Sequence, residues 1–266
     1  MPTRALRTAA SGMYAQQLNI EIISNNIANM NTTGFKKNKA EFQDLMYQDV
    51  RIHPVSSQTP GIYDSASNKI QVGNGVQTSS TSKLFKQGDM VPTNNPFDVG
   101  IQGEGFFQVR KPDGSFVYTR DGSFKVNSEG KIVTTSGYVL DPELTLDEDT
   151  LNIAVARDGT VEVHQAGGET FVLGNIELVR FMNPGGLNPI GENLYTETPV
   201  SGNPILGTPG ANGFGEVMQG FLENSNVDIV EEMISMITAQ RAYEINSKTV
   251  KTVEEMMTMT NNLKRG

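Results

Sequence analysis

The sequence has no cysteine, no tryptophan and only two histidines among its 266 residues. Without cysteine there can be no disulfide bond, no thiolate nucleophile and no zinc site with sulfur ligands. The histidines, His53 and His164, stand in a predicted loop and a predicted strand, and neither belongs to a pair with metal-ligand spacing. We therefore expect no catalytic residue, no cofactor and no metal ion in this protein.

Enzyme motifs are equally scarce. The glycine pairs at 73–75 and 103–105 are not followed by Lys-Ser or Lys-Thr, so turns explain them better than a phosphate loop. Asp147 and Asp149 lack the glycine and the distal glutamate of a calcium loop. Thirty acidic residues leave room for a glycosidase-like carboxylate pair, but such enzymes usually add aromatic sugar platforms and only 7% of this chain is aromatic. The sequence favours a protein that is not an enzyme.

An excess of positive charge is also missing, because 21 Lys and Arg stand against 30 Asp and Glu, a net charge of −9. A nucleic-acid partner is therefore not expected, since nothing would neutralise its phosphates. The first 40 residues are the exception and are basic, with Arg4, Arg7, Lys36, Lys37 and Lys39 against Glu21. Such a start could belong to a transit peptide, but the helical pattern continues past residue 27 without a cleavage-like segment.

Long apolar runs are absent as well. No stretch approaches the ~20 apolar residues that span a bilayer, and no signal-like apolar region follows the first basic residues. We expect neither direct membrane insertion nor a cleaved export signal.

What the chain does have is an apolar stripe at each end, repeating every seven residues. The first comprises Leu6, Met13, Ile20 and Ile27, and the second comprises Ile229, Met236, Tyr243, Val250 and Met257. A seven-residue repeat predicts a helix that packs along one seam against another helix. We predict one helix from Thr3 to about Asn29 and another from near Asn226 and Asp228 to about Leu263.

The second helix has more apolar surface than one partner helix can cover. Its further apolar residues are Val230, Met233, Ile234, Ile237, Ile245, Val253 and Met256. A helix that is apolar on more than one side is usually buried by several neighbours. This pattern favours oligomeric packing or a bundle.

The region between the helices contains short alternating runs and turn residues. We predict a short helix over 36–48, then a polar segment over 54–82 that is either a flexible loop or a segment ordered by a partner. Strands are predicted at 106–110, 116–120, 123–127, 131–135, 153–156, 160–164 and 174–181, and irregular chain at 184–215. The order of these elements favours an antiparallel sheet or a partly closed barrel.

The predicted fold class is therefore α+β. Long N- and C-terminal helices, residues 1–35 and 225–266, pair as a coiled-coil-like stem. Residues 36–84 form a connecting helix and an extended insert, and residues 85–224 form a β-rich antiparallel domain.

Four sequence motifs carry a resemblance to a known family. Residues 11–17 (SGMYAQQ) with 24–36 (SNNIANMNTTGFK), and residues 233–248 (MISMITAQRAYEINSK), closely resemble the terminal signatures of bacterial flagellar rod and hook proteins. Residues 98–109 (DVGIQGEGFFQV) and 118–124 (YTRDGSF) resemble the β-domain motifs of that family. The resemblance spans nearly the whole chain. Its length, its start at residues 5–13 and its segment at 50–75 are most similar to the distal-rod members, with a proximal-rod member or a short hook protein as the alternatives.

The resemblance implies a structural subunit of the flagellar drive shaft that transmits torque from the motor to the hook. It implies a homo-oligomer in a helical tube, with the terminal helices forming an inner tube and the β-domains outside. The implied partners are proximal rod proteins below, hook protein above, the L-ring and P-ring bushing proteins around the shaft, and the flagellar type III export apparatus. The implied location is the basal body, from periplasm to outer membrane.

The candidate assembly interface follows from the stripes and the family motifs together. Asn and Gly in the first motif also fit a plain helix stop, and polar residues of the last motif also fit a solvated helix face. The candidate residues are Leu6, Met13, Ile20, Asn25, Asn26, Ile27, Ala28, Asn29, Gly34, Phe35, Ile229, Met233, Met236, Ile237, Gln240, Arg241, Tyr243, Asn246, Val250 and Met257.

Overall fold

A computed structural model describes residues 2–51, 69–147, 150–165 and 169–263 of the protein. Contacts within the chain divide it into two compact units. The first, called here the helical unit, comprises Met1–Ser24, Lys39–Thr81 and Val230–Gly266. The second, called here the β unit, comprises Asn25–Asn38 and Ser82–Ile229. The insert therefore clusters with the terminal helices.

Both predicted long helices are confirmed. Helix α1 spans Pro2–Ala28 and helix α2 spans Ile229–Leu263. Glu231 and Glu232 lie in the first turn of α2, where carboxylates interact favourably with the helix dipole. Beyond α1 the chain turns sharply, and Gly34 adopts a φ of 67° that a residue with a side chain rarely takes.

The short helix predicted over 36–48 is wrong, because this region forms strands. Strand β1 (Asn38–Asp44) pairs with β4 (Val76–Lys83), and β2 (Gln48–Arg51) pairs antiparallel with β3 (Lys69–Val72). Phe42 and Met46, which a helix over 36–48 would place on one face, are exposed. The insert supplies the partner strands, and strand pairing thereby overrides a weak helical pattern. The rest of the predicted insert, residues 52–68, lies outside the described residues.

The two helices meet where one of them has no side chain. A Cβ placed on Gly12 of α1 would lie 2.8 Å from the Asn246 side-chain nitrogen of α2. Ala9 and Ala15, one turn to either side of Gly12, are buried. Small residues on α1 thus allow α2 to approach closely at this point.

The β unit contains sixteen described strands, all short. They are β5 (Met90–Pro92), β6 (Val99–Gln102), β7 (Phe106–Arg110), β8 (Phe116–Thr119), β9 (Lys125–Val126), β10 (Ile132–Val133), β11 (Val139–Asp141), β12 (Thr150–Val155), β13 (Thr160–Gln165), β14 (Thr170–Asn175), β15 (Leu178–Arg180), β16 (Asn188–Gly191), β17 (Leu194–Thr196), β18 (Ile205–Gly207), β19 (Glu216–Gln219) and β20 (Phe221–Glu223). This confirms the predicted α+β class.

Antiparallel pairing organises these strands into one large sheet and three small ones. The large sheet has the order β16-β17-β8-β7-β11-β10-β9, and β15 pairs with β7 and β18. Strands β12-β13-β14 form a three-stranded sheet, while β6 pairs with β19 and β5 with β20. Alternating residues of β7 enter two different cores. Phe107 and Val109 join a large aliphatic core, whereas Phe106 joins Tyr118, Phe181 and Tyr195 in an aromatic cluster.

Two sequence predictions fail in the second half of the β unit. The single strand predicted over 174–181 is broken at Ile176, whose amide donates to the Gly159 carbonyl at 2.7 Å. Strands β14 and β15, on either side of the break, belong to different sheets. The irregular chain predicted over 184–215 contains β16, β17 and β18. Glu192 and Asn193 join β16 to β17 with positive φ at both positions, as a type I′ hairpin requires.

Three charged side chains are buried together in the β unit. Lys36 and Glu223 are almost fully buried, and Arg120 is 5% exposed. The Glu223 carboxylate accepts from Lys36 Nζ at 2.6 Å, from Arg120 Nε at 2.9 Å and from the Gly88 amide at 2.9 Å. Lys36 also donates to the Lys86 carbonyl, and Arg120 donates to two more backbone carbonyls. We call these three residues the Glu223 cluster.

Two cations around one carboxylate keep Glu223 ionised. Burial is the largest influence and raises the pKa of Glu223, but Arg120, Lys36 and the Gly88 amide together outweigh it and bring the pKa below the ordinary 4.5. Burial lowers the pKa of Lys36, and Glu223 opposes that shift. A carboxyl with a lowered folded pKa stabilises the fold above its unfolded pKa and loses this effect as pH falls through the folded pKa.

We predict that Glu223→Gln destabilises the β unit by about 3–5 kcal/mol at pH 7, because the substitution leaves two buried cations without their charge partner. Below the unfolded pKa of about 4.5 the difference from wild type should shrink, since only the wild type loses an ionised carboxylate there. Urea unfolding between pH 7 and pH 3 measures both effects. Asp121, whose pKa burial raises, titrates in both proteins and cancels in the difference.

Glu143→Gln is the matched control. Glu143 pairs with Lys131 at 2.8 Å on the surface, so water replaces the lost interaction and little stability should be lost. If the difference in unfolding free energy between wild type and Glu223→Gln did not change with pH, the assignment of an ionised Glu223 would be wrong.

We also predict that Gly12 and Asn246 are energetically coupled. Gly12→Ala alone should not increase the stability of the helices, because the new methyl group must displace the Asn246 side chain. In an Asn246→Ala background the same change should stabilise the helices by about 0.5–1 kcal/mol, the usual gain of Ala over Gly within a helix. A four-variant cycle followed by circular dichroism at 222 nm tests this coupling. Equal effects of Gly12→Ala in wild type and in Asn246→Ala would refute it, and Gln240→Ala serves as an exposed control background.

Candidate assembly surface

One face of α2 is covered within this chain. Glu232, Ala239 and Val253 are buried and Asn246 is half-buried, and these four recur every seven residues. The predicted stripe is offset from this row by three positions. Its members Met236, Val250 and Met257 are half-buried, whereas Ile229 and Tyr243 are exposed.

The other side of α2 carries large apolar residues in contact with solvent. Val230, Ile234, Ile237 and Ile245 are between 49% and 63% exposed. Val230 and Glu232 are two residues apart, which is about 200° around a helix of 3.6 residues per turn. Val230, Ile234 and Ile237 therefore lie opposite the buried row, and Ile245 lies on its flank, about 100° from its neighbour Asn246. We call Val230, Ile234, Ile237 and Ile245, with Met259 and Leu263 further along, the outer row.

Single exposed apolar residues are ordinary, but several on one side of a helix are not. Those of the outer row form two groups, at residues 230–245 and 259–263, with Lys248, Thr252 and Glu255 between them on the same side. Solvent-exposed Met233 lies beside the outer row, and Arg241 lies within it. Gln240, also exposed, lies on the flank. A row of this kind is suited to burial against another helix.

Helix α1 presents a different outer surface. Leu6, Met13, Ile20 and Ile27 of the predicted stripe are half-buried, and the fully exposed positions are mostly small or polar. Tyr14 is the large apolar exception. The apolar surface available for further contacts is thus concentrated on α2.

Several candidate interface residues have partners within the β unit. Asn26 is buried, and its side chain donates to the Asn38 carbonyl and accepts from the Asn38 amide, both at 2.9 Å. The Gly34 amide donates to the Glu223 carbonyl at 2.8 Å. Phe35 is buried, with Lys83 Nζ 5.0 Å from its ring centroid. Asn26, Gly34 and Phe35 therefore make contacts within a single chain.

The remaining candidates near the end of α1 differ in exposure. Asn25 and Ala28 are exposed, while half-buried Asn29 donates its side-chain amide to the Asn25 carbonyl at 2.9 Å and so caps the helix end. The helix-stop interpretation fits Asn29 within this chain.

The Glu223 cluster is the feature that sequence reasoning missed. Lys36 and Arg120 stand inside the quoted family motifs, which could have drawn attention to them. Glu223 stands in no motif, and no local pattern pairs it with residues 187 and 103 positions away.

Two further properties concern function. Among the described residues, neither helix combines the length and apolar character that a membrane crossing demands. The same part of the chain contains no group of three or more His, Asp or Glu side chains arranged to hold a metal ion.

Three protein-family models match the chain. Residues 6–36 match the model described as flagella basal body rod protein, and residues 100–163 match the flagellar hook protein FlgE/F/G D1 domain. Residues 218–263 match the C-terminal region of the flagellar basal body rod FlgEFG proteins.

Curated relatives match over nearly the full length. The flagellar basal-body rod protein FlgG of Borreliella burgdorferi is 48% identical over 265 residues, covering 98% of this chain and 99% of the relative. FlgG of Caulobacter vibrioides is 46% identical and FlgG of Bacillus subtilis 36% identical, each with the same coverage. Among solved structures, the Helicobacter pylori hook protein FlgE2 matches 59% of this chain and 47% of its own, with 15% identity and a TM-score of 0.24, too weak a likeness to support a conclusion about fold. The full-length relatives and the three family models together show that this chain belongs to the FlgG family of flagellar basal-body rod proteins.

Proposed function

We propose that copies of this distal-rod subunit assemble into a helical tube by covering the outer row of α2, and that the tube transmits torque from the motor to the hook. Membership of the FlgG family gives the structural role and the location in the flagellar basal body, which spans the periplasm. Relatives named FlgG favour the distal rod over the proximal-rod and hook alternatives. The single observation that supports the assembly mode is the outer row itself.

Burial of this row provides the driving force. Removing apolar surface from water contributes about 25 cal/mol per Å², so each half-exposed side chain of the row adds roughly 1–2 kcal/mol when covered. Val230, Ile234 and Ile237 of the outer row lie opposite the packed row of α2, so a neighbour can cover them without disturbing the packed row. A contact between different patches of identical copies yields an open helical filament when its rotation does not close into a ring.

The proposed contact residues follow from exposure. From the sequence candidates we retain Leu6, Met13, Ile20, Asn25, Ile27, Ala28, Ile229, Met233, Met236, Ile237, Gln240, Arg241, Tyr243, Val250 and Met257, which are exposed or half-buried in the single chain. We assign Asn26, Asn29, Gly34, Phe35 and Asn246 to contacts within the subunit. The outer row adds Val230, Ile234, Ile245, Met259 and Leu263.

The placement of the two units in the shaft is part of the same proposal. The terminal helices form the inner tube with coiled-coil-like pairing, and the β unit lies outside. Proximal rod proteins, hook protein, the L-ring and P-ring proteins and the type III export apparatus are its proposed partners. The subunit performs no chemistry, because assembly is its function.

The segment from residue 50 to 82 is proposed to stiffen the shaft. Its apolar residues, among them Ile70 and Val72 in β3 and Val76 at the start of β4, are too sparse to form a core. Docked on adjoining subunits, they would bury area that bending must expose again. Val55, Ile62 and Tyr63 belong to the same proposal and lie outside the described residues.

Ile237→Lys is expected to block assembly while leaving the subunit folded. Ile237 is 49% exposed, so its replacement should cost the single chain little. In the tube, a lysine would have to be buried in place of an apolar contact. A loss of about 1.5–3 kcal/mol raises the critical concentration at least tenfold. Light scattering and electron microscopy of concentrated protein measure this critical concentration.

The matched control is Asn261→Lys, which puts the same charge on an exposed position of the same helix, about 120° around from Ile237. Unchanged assembly of Ile237→Lys, or equal inhibition by both variants, would show that the outer row is not the contact.

Shortening the insert should make the rod more flexible without preventing assembly. A deletion of residues 54–74 would remove β3, so we choose residues 54–66. This leaves residues 52, 53, 67 and 68 to join β2 to β3, whose Arg51 and Lys69 are paired. Four residues close such a hairpin comfortably. Electron microscopy of isolated basal bodies should show increased rod curvature, and unchanged curvature would rule out the stiffening role.

A further inference from the structure

A row of exposed positions runs along α1 on the side that faces away from α2. Successive members are three or four residues apart, which places them on one side of the helix. Tyr14 is two residues from Gly12, which approaches α2, and so lies about 200° around the helix from that contact. We call this surface the α1 row, and its members are Arg7, Ala10, Tyr14, Gln17, Glu21, Ser24 and Ala28.

Three side chains of the α1 row can recognise a partner. Arg7, Tyr14 and Glu21 repeat every seven residues, and Tyr14 is 67% exposed. Arg7 Nη2 donates to Asn74 Oδ1 at 3.3 Å, and Glu21 accepts from Gln17 Nε2 at 3.2 Å, so both charges have neutral amide partners. Within the part of the chain that the structure describes, neither charge belongs to an ion pair.

The outer side of α2 carries charged residues at the same spacing. Arg241, Lys248 and Glu255 repeat every seven residues and are exposed. Among the described residues, none of them belongs to an ion pair. Lys248 is two residues from Asn246, the residue that Gly12 approaches, and so lies about 200° around α2 from that contact. The helices of one copy thus present these charges in opposite directions, and one copy cannot bring them together.

We infer that the α1 row of one copy packs antiparallel against the outer side of α2 in a second copy. This inference rests on the proposed self-assembly and names the surface that covers the outer row. Each cation in this register lies opposite a carboxylate or an aromatic ring, and both arrangements are attractive. The pairs are Arg7 with Glu255, Tyr14 with Lys248, and Glu21 with Arg241.

Side-chain size matches in the same register. Ile245 of the outer row lies opposite Gln17, and Ile234 lies opposite Ala28. The α1 row contains no large aliphatic side chain, so it leaves room for the isoleucines of α2. The two helices can therefore approach closely, as they do at Gly12 within one copy.

The antiparallel direction follows from the order of the charges. A parallel arrangement of the same residues places Arg7 against Arg241 and Glu21 against Glu255, and like charges in contact repel. Shifting the antiparallel register by seven residues in one direction places Arg7 against Lys248. Shifting it in the other direction leaves Arg7 with no carboxylate opposite it. The proposed register is the one of these that satisfies both ends of the contact.

The other charges of α2 do not oppose this register. Glu244 precedes Lys248 by four residues, the favourable order for an ion pair along a helix. Lys251 and Glu254 are three residues apart on one flank, so their charges compensate each other. The basic residues 264–265 lie outside the described residues and come after the stretch that α1 overlaps in this register.

The absence of cysteine provides a direct test. Ala10 and Thr252 are exposed, and they lie opposite each other in the proposed register. A disulfide requires Cα atoms about 4.4–6.8 Å apart, so it forms readily only where two positions adjoin. Under a mild oxidant, the assembled double variant Ala10→Cys with Thr252→Cys should give linked dimers, trimers and longer species on a non-reducing gel. The series continues because each copy uses two different patches.

Two controls accompany the cross-link. Ala10→Cys with Glu254→Cys moves the second thiol two residues along α2 and about 200° around it, and this variant should give no ladder. Each single cysteine variant should give at most dimers. Dimers alone from the double variant Ala10→Cys with Thr252→Cys would indicate a closed pair of copies and would overturn the inference.

Charge reversal tests the register independently. Glu21→Arg should raise the critical concentration for assembly about tenfold, because two guanidinium groups then meet, and adding Arg241→Glu should restore it to within about threefold of wild type. Glu254→Arg reverses a charge away from the contact and should have little effect. Restoration by Lys248→Glu in place of Arg241→Glu would mean that the register is displaced by seven residues and that the proposed pairs are wrong.

Failure of this inference is distinguishable from failure of the proposed function. If tubes form but the Ala10 and Thr252 cysteines give no ladder, the α1 row does not cover α2. If the ladder forms only in the variant that lacks residues 54–66, the insert covers the outer row in the intact chain and the inference is wrong. If wild-type protein forms no tube under any condition, the assembly proposal itself is overturned.

Discussion

Glu223 holds together parts of the β unit that are far apart in the sequence. Its carboxylate binds Lys36, which follows α1, and Arg120, which follows β8, while its carbonyl accepts the Gly34 amide. Buried ion pairs often add little net stability, but losing one partner leaves a charge that cannot be tolerated. The interaction therefore acts as a constraint on arrangement. Only a chain that brings these three segments together can satisfy all three charges.

The two units of the chain differ in how completely they bury their apolar side chains. In the β unit, apolar side chains fill two cores and the three charges of the Glu223 cluster are paired. In the helical unit, α2 buries one row of residues and leaves another apolar row in solvent. The first arrangement completes itself within one chain, whereas the second needs another molecule. This contrast is what a subunit of a polymeric shaft requires.

The sequence was sufficient for the elements with strong local signals. Both long helices follow from their periodicity, and β7 follows from the alternation at 106–110 and the Pro-Asp-Gly turn after it. The sequence was not sufficient where contacts between distant segments decide the local structure. Residues 38–44 form a strand because β4 lies beside them, and α2 places Asn246 against α1 because Gly12 leaves room for it. The seven-residue repeat was recognised, but the row it buries is three positions from the predicted one, because a helix apolar on several sides does not specify its own inward face.

In the assembly proposed above, the outer row of α2 also sets a limit on how much free subunit a cell can hold. The isoleucines that would be covered in the tube are exposed on an unassembled copy, and solvent-exposed apolar surface attracts other apolar surface. Under that proposal, substitutions at these positions that increase the solubility of the free chain weaken the shaft, so selection acts on solubility and shaft strength together.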